Sequence, residues 1–272
     1  MGTEREVPPP GSSAVGRHAR RPAGGFAEVR RVERTGSTKA DLLALARTGQ
    51  ARTGLVLVTD HQTAGRGRQG RVWQDRPSGS LLVSVLLRAE PAWASLIPLA
   101  AGLAAVGAVA DAAGVTARLK WPNDVLVPAA GERKLAGILA EATAVDGALW
   151  VVVGMGLNLR WPDELPAELA DRLACLADLG APVPRDDLLD AWLARLGPGL
   201  AALATPDGRR EVLDSYRQAC LSIGRAVRMS TPRGDVEGVV EGVADDGGLL
   251  LRVGGELRRL DAGDVHHLGS GG

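Results

Sequence analysis

Between residues 65 and 71 the sequence reads Gly65-Arg66-Gly67-Arg68-Gln69-Gly70-Arg71, three glycines interleaved with three arginines. Glycine lets the backbone take positive φ and approach a ligand closely. Each guanidinium adds a permanent charge and a planar fork of donors shaped for carboxylate or phosphate oxygens. Apolar runs flank the stretch at residues 55–58 and 81–87, so it is a loop mounted between two strands. That combination predicts an anion site of the kind a nucleotide phosphate fills. The spacing Gly65-x-Gly67-x-x-Gly70 also matches a dinucleotide fingerprint, but that fingerprint needs its glycines to open a helix. Here residues 71–79 show no helical periodicity and end in the turn Pro77-Ser78-Gly79. Taken alone, the stretch also reads as a solvated arginine-rich hairpin.

A second group is Arg118-Leu119-Lys120-Trp121-Pro122-Asn123-Asp124. Pro122 biases Trp121 to an extended conformation and has no N–H for a ladder, so a strand is interrupted here. Lys120 stands among residues built for burial. It is either an edge residue directed to solvent or a cation held over a cleft. Asn-Asp after proline is ordinary turn chemistry. A third group is Thr35-Gly36-Ser37-Thr38-Lys39, ahead of a helical stretch at 40–47. Ser37 or Thr38 is placed to cap that helix by accepting from an orphan N–H.

The elements around these groups follow from periodicity. An edge strand is expected at 26–33, a continuously apolar strand at 81–87 broken only by Ser84 and covered on both faces, and an Ala-rich helix at 93–113 ended by Gly114. Strands follow at 134–141 and 149–153, then helices at 167–179, 186–196 and 209–219. Short strands at 226–229, 236–243, 249–253 and 256–260 close the chain as a small β-barrel of its own. The fold class is therefore α+β: a mixed or antiparallel central sheet with flanking helices, followed by a small C-terminal β-barrel. The domain reading is a disordered tail at 1–25, a catalytic domain at 26–222 and the barrel at 223–268.

Composition narrows the function classes. The 32 Lys and Arg balance the 32 Asp and Glu, so nothing global argues for a nucleic-acid or membrane partner. The apolar stretch at 96–110 is expected to be too short to span a bilayer and to form a buried helix. The first 25 residues are rich in Pro, Gly, Ser and Arg and lack the apolar core of a signal peptide. Cys175 and Cys220 have no metal or redox spacing, so free thiols in a reducing cytosol are expected, with a single disulfide as the alternative. The protein is read as cytoplasmic.

Taken together, the glycine–arginine loop, Lys120-Trp121-Pro122-Asn123-Asp124, Lys134-Leu135-Ala136-Gly137-Ile138-Leu139 and Gly156-Leu157-Asn158-Leu159 resemble the biotin–protein ligases in order and interval. The Ser37-Thr38 pair and the C-terminal barrel fit as well, and the resemblance covers roughly residues 29–268. It implies an enzyme that activates biotin with ATP as biotinyl-5'-AMP and transfers it to a lysine of a biotin carboxyl carrier protein. On the resemblance, Lys120, Arg66 and Arg68 are catalytic. Biotin is held by Ser37, Thr38, Lys39, Gln62, Arg66, Gly67, Arg68, Lys120 and Gly137. ATP meets Arg66, Arg68, Arg71, Trp73, Asn123, Lys134 and Asn158. Mg2+ rides on the ATP phosphates, with no metal site in the protein. The partner is the carrier domain of a biotin-dependent carboxylase, with no DNA and no membrane, and the chain is a monomer or homodimer.

Two positions depart from the family pattern. Lys39 stands where Asn is common, which puts one hydrogen bond to the biotin ring in doubt, and Gln69 often has Arg in its place. Some relatives carry a winged-helix domain ahead of the catalytic one, and its absence from residues 1–25 predicts a ligase without repressor activity. Two alternatives stand beside this reading: a lipoate ligase or acyltransferase of the same superfold, which as an acyltransferase needs a cysteine at the cleft, and a non-catalytic nucleotide- or DNA-binding regulator.

Overall fold

Alternation along single strands decides the architecture. In β2 (Leu55–Gln62), Val56 and Val58 join one buried cluster while Leu55 and Leu57 join another, so the strand is covered on both sides. β3 (Ser80–Ala89) divides in the same way, with Leu81, Val83 and Val85 on one face and Leu86 on the other, as its apolar run predicted. The computed structural model describes residues 23–71, 73, 77–161, 165, 167–231, 234–261 and 263–268.

These strands belong to a seven-stranded mixed sheet. Its order is β1 (Glu28–Thr35), β2, β3, β7 (Ala148–Asn158), β6 (Arg133–Val145), β5 (Asp124–Val127) and β4 (Arg118–Lys120). β1 lies at the edge and pairs parallel with β2, and every other neighbour is antiparallel. One face is covered by α1 (Thr38–Arg47), whose Leu42, Leu43 and Ala46 pack on Leu86 and Val152. The other face meets α2 (Ile97–Ala113), which in turn packs on α4 (Arg185–Ala202) and α5 (Pro206–Ala219). Gly114, left-handed at φ 65, ends α2 where it was expected to end.

Several expectations need correction. Residues 94–113 are in fact long and apolar enough to cross a membrane by length and composition, but just over half of that helix is buried inside the protein. Trp192 of α4 is fully buried and donates its Nε1 hydrogen to Ala101 O, 3.2 Å away. Only Ala167–Ala170 (α3) of the helix expected at 167–179 is helical. Beyond it the backbone bonds to the sheet instead: Lys134 N donates to Arg172 O, Ala174 N to Lys134 O and Leu176 N to Asn158 O. Pairing with a strand end outweighs local helix propensity there. Of the tail expected at 1–25, residues 1–22 lie outside the described residues, and Ala23–Gly25 form a 3-10 turn packed on α4.

The C-terminal strands β8 (Ala226–Thr231), β9 (Gly234–Val243), β10 (Leu249–Val253), β11 (Glu256–Leu260) and β12 (Asp264–His267) form an antiparallel sheet of order β11-β10-β9-β8-β12. Among the described residues this is the small C-terminal β module that was expected, its pairing running from β11 to β12. Its core, however, is not its own. Val227, Met229, Val240, Leu249 and Leu251 belong to the same buried cluster as α2 and the large sheet.

Candidate functional site

The α1 face of the large sheet is covered only in part, and the uncovered part is a cleft of about 760 Å³, a volume suited to a small-molecule site. Strand register lays out its floor in rows. Leu86, Val152 and Glu141 lie abreast under α1; Ser84, Gly154 and Leu139 come next; then Leu82, Gly156 and Gly137. The last two rows line the cleft. Glycine at 154, 156 and 137 keeps that floor low enough for a flat group to lie on it.

The α1 end of the cleft is polar and carries no net charge, since Lys39 there is paired with Glu141 at 2.8 Å. Ser37 is the N-cap residue, extended at φ −164, but its hydroxyl makes no cap bond. Thr38 is buried; its N and Oγ1 both donate to Gln62 Oε1, at 2.9 and 3.2 Å, and its Oγ1 lies 2.8 Å from Ser84 Oγ. The hydroxyls read as caps therefore serve a cleft wall. Ser84 was visible in the sequence as the one polar residue of its run, and the register shows why it is there.

The opposite end is cationic. Lys120 ends β4 and is half-buried at the cleft, so of the two sequence readings the structure selects the cation over a cleft. Burial holds its ammonium pKa below the usual lysine value against the opposing pull of Asp124, and Lys134 adds to the lowering. Lys134 Nζ sits 2.6 Å from Asp124 Oδ1 and 5.6 Å from the Trp73 ring centroid. Asn123 lines the same wall, in the turn that joins β4 and β5.

The glycine–arginine loop is a folded hairpin rather than the start of a helix. Trp73 N donates to Gly65 O at 3.0 Å and Gly67 N to Arg71 O at 2.7 Å, around a 3-10 turn at Arg68–Gly70. Gly70, at φ 73, occupies the left-handed region that a side chain disfavours. The loop brings Arg66, Gly67, Arg68, Arg71 and Trp73 to the cleft. Burial lowers the pKa of Arg68, with Asp264 and Asp124 opposing and Arg71 adding to the lowering. The C-terminal sheet holds this loop directly: Arg68 Nη1 donates to Gly263 O at 3.2 Å, and Arg71 Nη2 lies 2.7 Å from Asp264 Oδ2.

Every expected site residue lines the cleft except Asn158. Its side chain is buried and its Nδ2 donates to Ala174 O at 3.0 Å and, more weakly, to Lys134 O at 3.5 Å, so it ties the cleft wall instead of facing the cleft. Several lining residues escaped the sequence reading. Leu169, Asp171, Arg172 and Leu173 lie in the segment read as a helix. Glu132, His266 and His267 meet where the β5–β6 turn touches β12, a four-residue strand too short to show periodicity. Glu132 holds Arg225 at 2.7 Å, and His267 stands between Ser222 Oγ and Arg225 Nη1, each 3.1 Å away. Burial, then Lys120 and Arg225, push the His267 pKa below its ordinary 6.5.

An extended cleft with neutral hydrogen-bonding groups at one end and desolvated cations at the other suits a small acid with a polar head, lying beside a nucleotide. Comparison with known proteins gives the same direction. Residues 32–158 match the biotin/lipoate A/B protein ligase family, and residues 222–268 match the biotin protein ligase C terminal domain. The biotin--[acetyl-CoA-carboxylase] ligase of Mycobacterium tuberculosis is 40% identical over 90% of this chain and 90% of its own. The ligase of the same name from Paracoccus denitrificans is 33% identical over 81% of this chain and 92% of its own. A solved biotin protein ligase from Aquifex aeolicus, in complex with biotin and ATP, superposes with a TM-score of 0.74 at 26% identity, covering 89% of this chain and all of that one. The chain belongs to the biotin/lipoate A/B protein ligase family.

Proposed function

We propose that this chain is an ATP-dependent biotin–protein ligase, with the catalytic unit over residues 26–222 and a supporting module over 223–268. The observation that carries this reading is the division of one cleft into a neutral polar end and a desolvated cationic end. Thr38, Ser37 and Gln62 take the ureido head of biotin, which binds poorly in an apolar slot without partners. The carboxylate tail then points at Lys120 and Arg68, whose burial strengthens their hold on anions.

A carboxylate oxygen of biotin attacks the α-phosphorus of ATP, the bond to the bridging oxygen breaks, and pyrophosphate leaves. Lys120 and Arg68 stabilise charge growing on the phosphoryl and acyl oxygens. Arg66 and Arg71 close the loop over the mixed anhydride, which excludes water. Trp73 and Lys134 flank the nucleotide, with Asn123 beside them. A neutral lysine amine of the carrier domain then attacks the acyl carbon. AMP departs with the anhydride oxygen, the attacking nitrogen gives up a proton to solvent, and an amide forms. Mg2+ bound to the ATP phosphates would neutralise part of their charge, and Asp124, Glu132 and Asp171 are the carboxylates that line the cleft.

The sister acyltransferase reading lacks a nucleophile. Cys175 and Cys220 are buried and line no part of the cleft. Burial raises both thiol pKa values, that of Cys175 to about 11, which suppresses the reactive thiolate. We place the enzyme in the cytoplasm, as a monomer or homodimer, with a biotin carboxyl carrier domain as partner and without DNA or membrane. Incubation with ATP, an equal mixture of biotin and lipoate, and an isolated carrier domain tests this. One lysine of the carrier should gain biotin by mass spectrometry, only with ATP present. Lipoylation in place of biotinylation would refute the substrate.

A further inference from the structure

The chain has 32 basic side chains, yet only Lys39, Lys120 and Lys134 are lysines, and all the others are arginine. All three lysines line the cleft. Lys39 Nζ lies 2.8 Å from Glu141 Oε2 and Lys134 Nζ 2.6 Å from Asp124 Oδ1, with 15% and 28% of the side chains exposed. Lys120 is half-buried between them and the C-terminal sheet, within the field of Asp124, Asp264 and Glu132. The other strong nucleophiles are as scarce and as hidden: both cysteines and the one tyrosine, Tyr216, are buried. Lysine is thus kept only where the cleft uses its charge, and the exposed cations are guanidinium groups. A guanidinium stays protonated and does not attack an acyl carbon, whereas an exposed lysine always supplies a small fraction of neutral amine. An ammonium engaged by a carboxylate has only donors and no lone pair to attack with.

We propose that this nucleophile-free surface protects the enzyme from acylation by its own activated intermediate. An acyl-adenylate that leaves the cleft meets no acceptor on the chain beyond the α-amino group, so transfer is kept for the lysine of the partner. The inference rests on the biotin-ligase reading and deepens it. The reaction avoided is simple. A neutral amine nitrogen attacks the acyl carbon, the bond from that carbon to the phosphate oxygen breaks, AMP leaves, and the nitrogen gives its extra proton to solvent. Arginine supplies the same surface charge without that reaction.

The test incubates the protein with ATP, biotin and pyrophosphatase, without any carrier, and locates bound biotin by intact-mass and peptide analysis. The wild type is compared with a variant carrying Arg34→Lys, Arg47→Lys and Arg52→Lys, three exposed positions outside the cleft lining, where the charge is unchanged. Biotin-dependent pyrophosphate exchange, measured separately, should be the same for both. The wild type should carry biotin on the α-amino group alone, and the variant several-fold more biotin in total, on the introduced lysines. A second arm replaces ATP and biotin with the N-hydroxysuccinimide ester of acetate, which acylates accessible amines whatever the enzyme catalyses, and the same contrast should appear. Labelling of Lys39, Lys120 or Lys134 in the wild type as heavy as that of the introduced lysines, in either arm, would overturn the proposal. So would a variant that exchanges pyrophosphate yet gains no biotin beyond the wild type. Wild-type protein that supports no biotin-dependent exchange would instead overturn the biotin-ligase reading, and this inference with it.

Discussion

Gly156 of β7 lies so close beneath the Trp73 indole that a Cβ built on it would come 2.6 Å from Cζ2. Gly137, its neighbour across the strand pair, would bring a Cβ 3.1 Å from Cζ3. The two glycines are a seat for the ring, and Lys134 lies beside it. The seat explains why Gly137 and Gly156 stand inside strands, where glycine otherwise weakens packing.

Gly156→Ala must displace the indole or the strand, an overpacking cost of ~1–3 kcal/mol. If Trp73 flanks the nucleotide, the loss falls on ATP. Titration calorimetry should show ATP affinity reduced by about tenfold, with biotin affinity little changed. Equal loss of both ligands would place Trp73 elsewhere in the mechanism.

Asp264 acts on the cleft from outside the large sheet. Its pair with Arg71 is largely open to water on the arginine side, with 56% of that side chain exposed. Asp264→Ala should therefore cost stability only ~1 kcal/mol or less, read as a small fall in melting temperature. Its effect on the loop should be larger. With Arg71 no longer tied to β12 and only the Gly263 carbonyl still holding Arg68, the closed loop opens more often and the reactive anhydride escapes or meets water. Adenylate released to solution per amide formed should rise several-fold over wild type. Unchanged release would show that the loop closes without the C-terminal sheet.

His267 carries a pH dependence of defined sign. Its pKa in the folded protein lies below the ordinary 6.5, so between the two values the unfolded chain binds more protons. Stability must then rise with pH across that window and be lost as pH falls from 6.5 through the folded value. Protonation would set a cation beside Arg225 and Lys120, with Glu132 the opposing carboxylate. His267→Gln should flatten the fall in melting temperature as pH drops below 6.5, relative to wild type. An identical slope in the variant would assign that acid sensitivity to other groups.

How much of this was legible in the sequence depends on the range of the interactions involved. The loop at 65–71, the Lys120 turn and the strands at 81–87, 249–253 and 256–260 declare themselves locally, through glycine spacing, proline, apolar residues and the turn residues between strands. The segment after Ala170 looks helical by composition but is recruited by the ends of β6 and β7, some 15 to 40 residues away in sequence. β12 is four residues long and exists because β8 offers it an edge. Lys39 could be seen as unusual, yet its partner Glu141 follows only from the register of β6 against β7. Asn158 was misplaced for the same reason: its side chain turns away from the cleft to hold Ala174.

The central claim is that the desolvated cations at one end of the cleft drive adenylation of an acid whose neutral head lies at the other. Biotin-dependent exchange of labelled pyrophosphate into ATP measures that step alone, without any carrier protein. The wild type should exchange with biotin and not with lipoate, and Lys120→Ala, still folded by circular dichroism, should lose at least about a hundredfold of the rate, the scale of removing one charge-stabilising donor. Exchange that persists in Lys120→Ala, or that lipoate supports and biotin does not, would contradict the account.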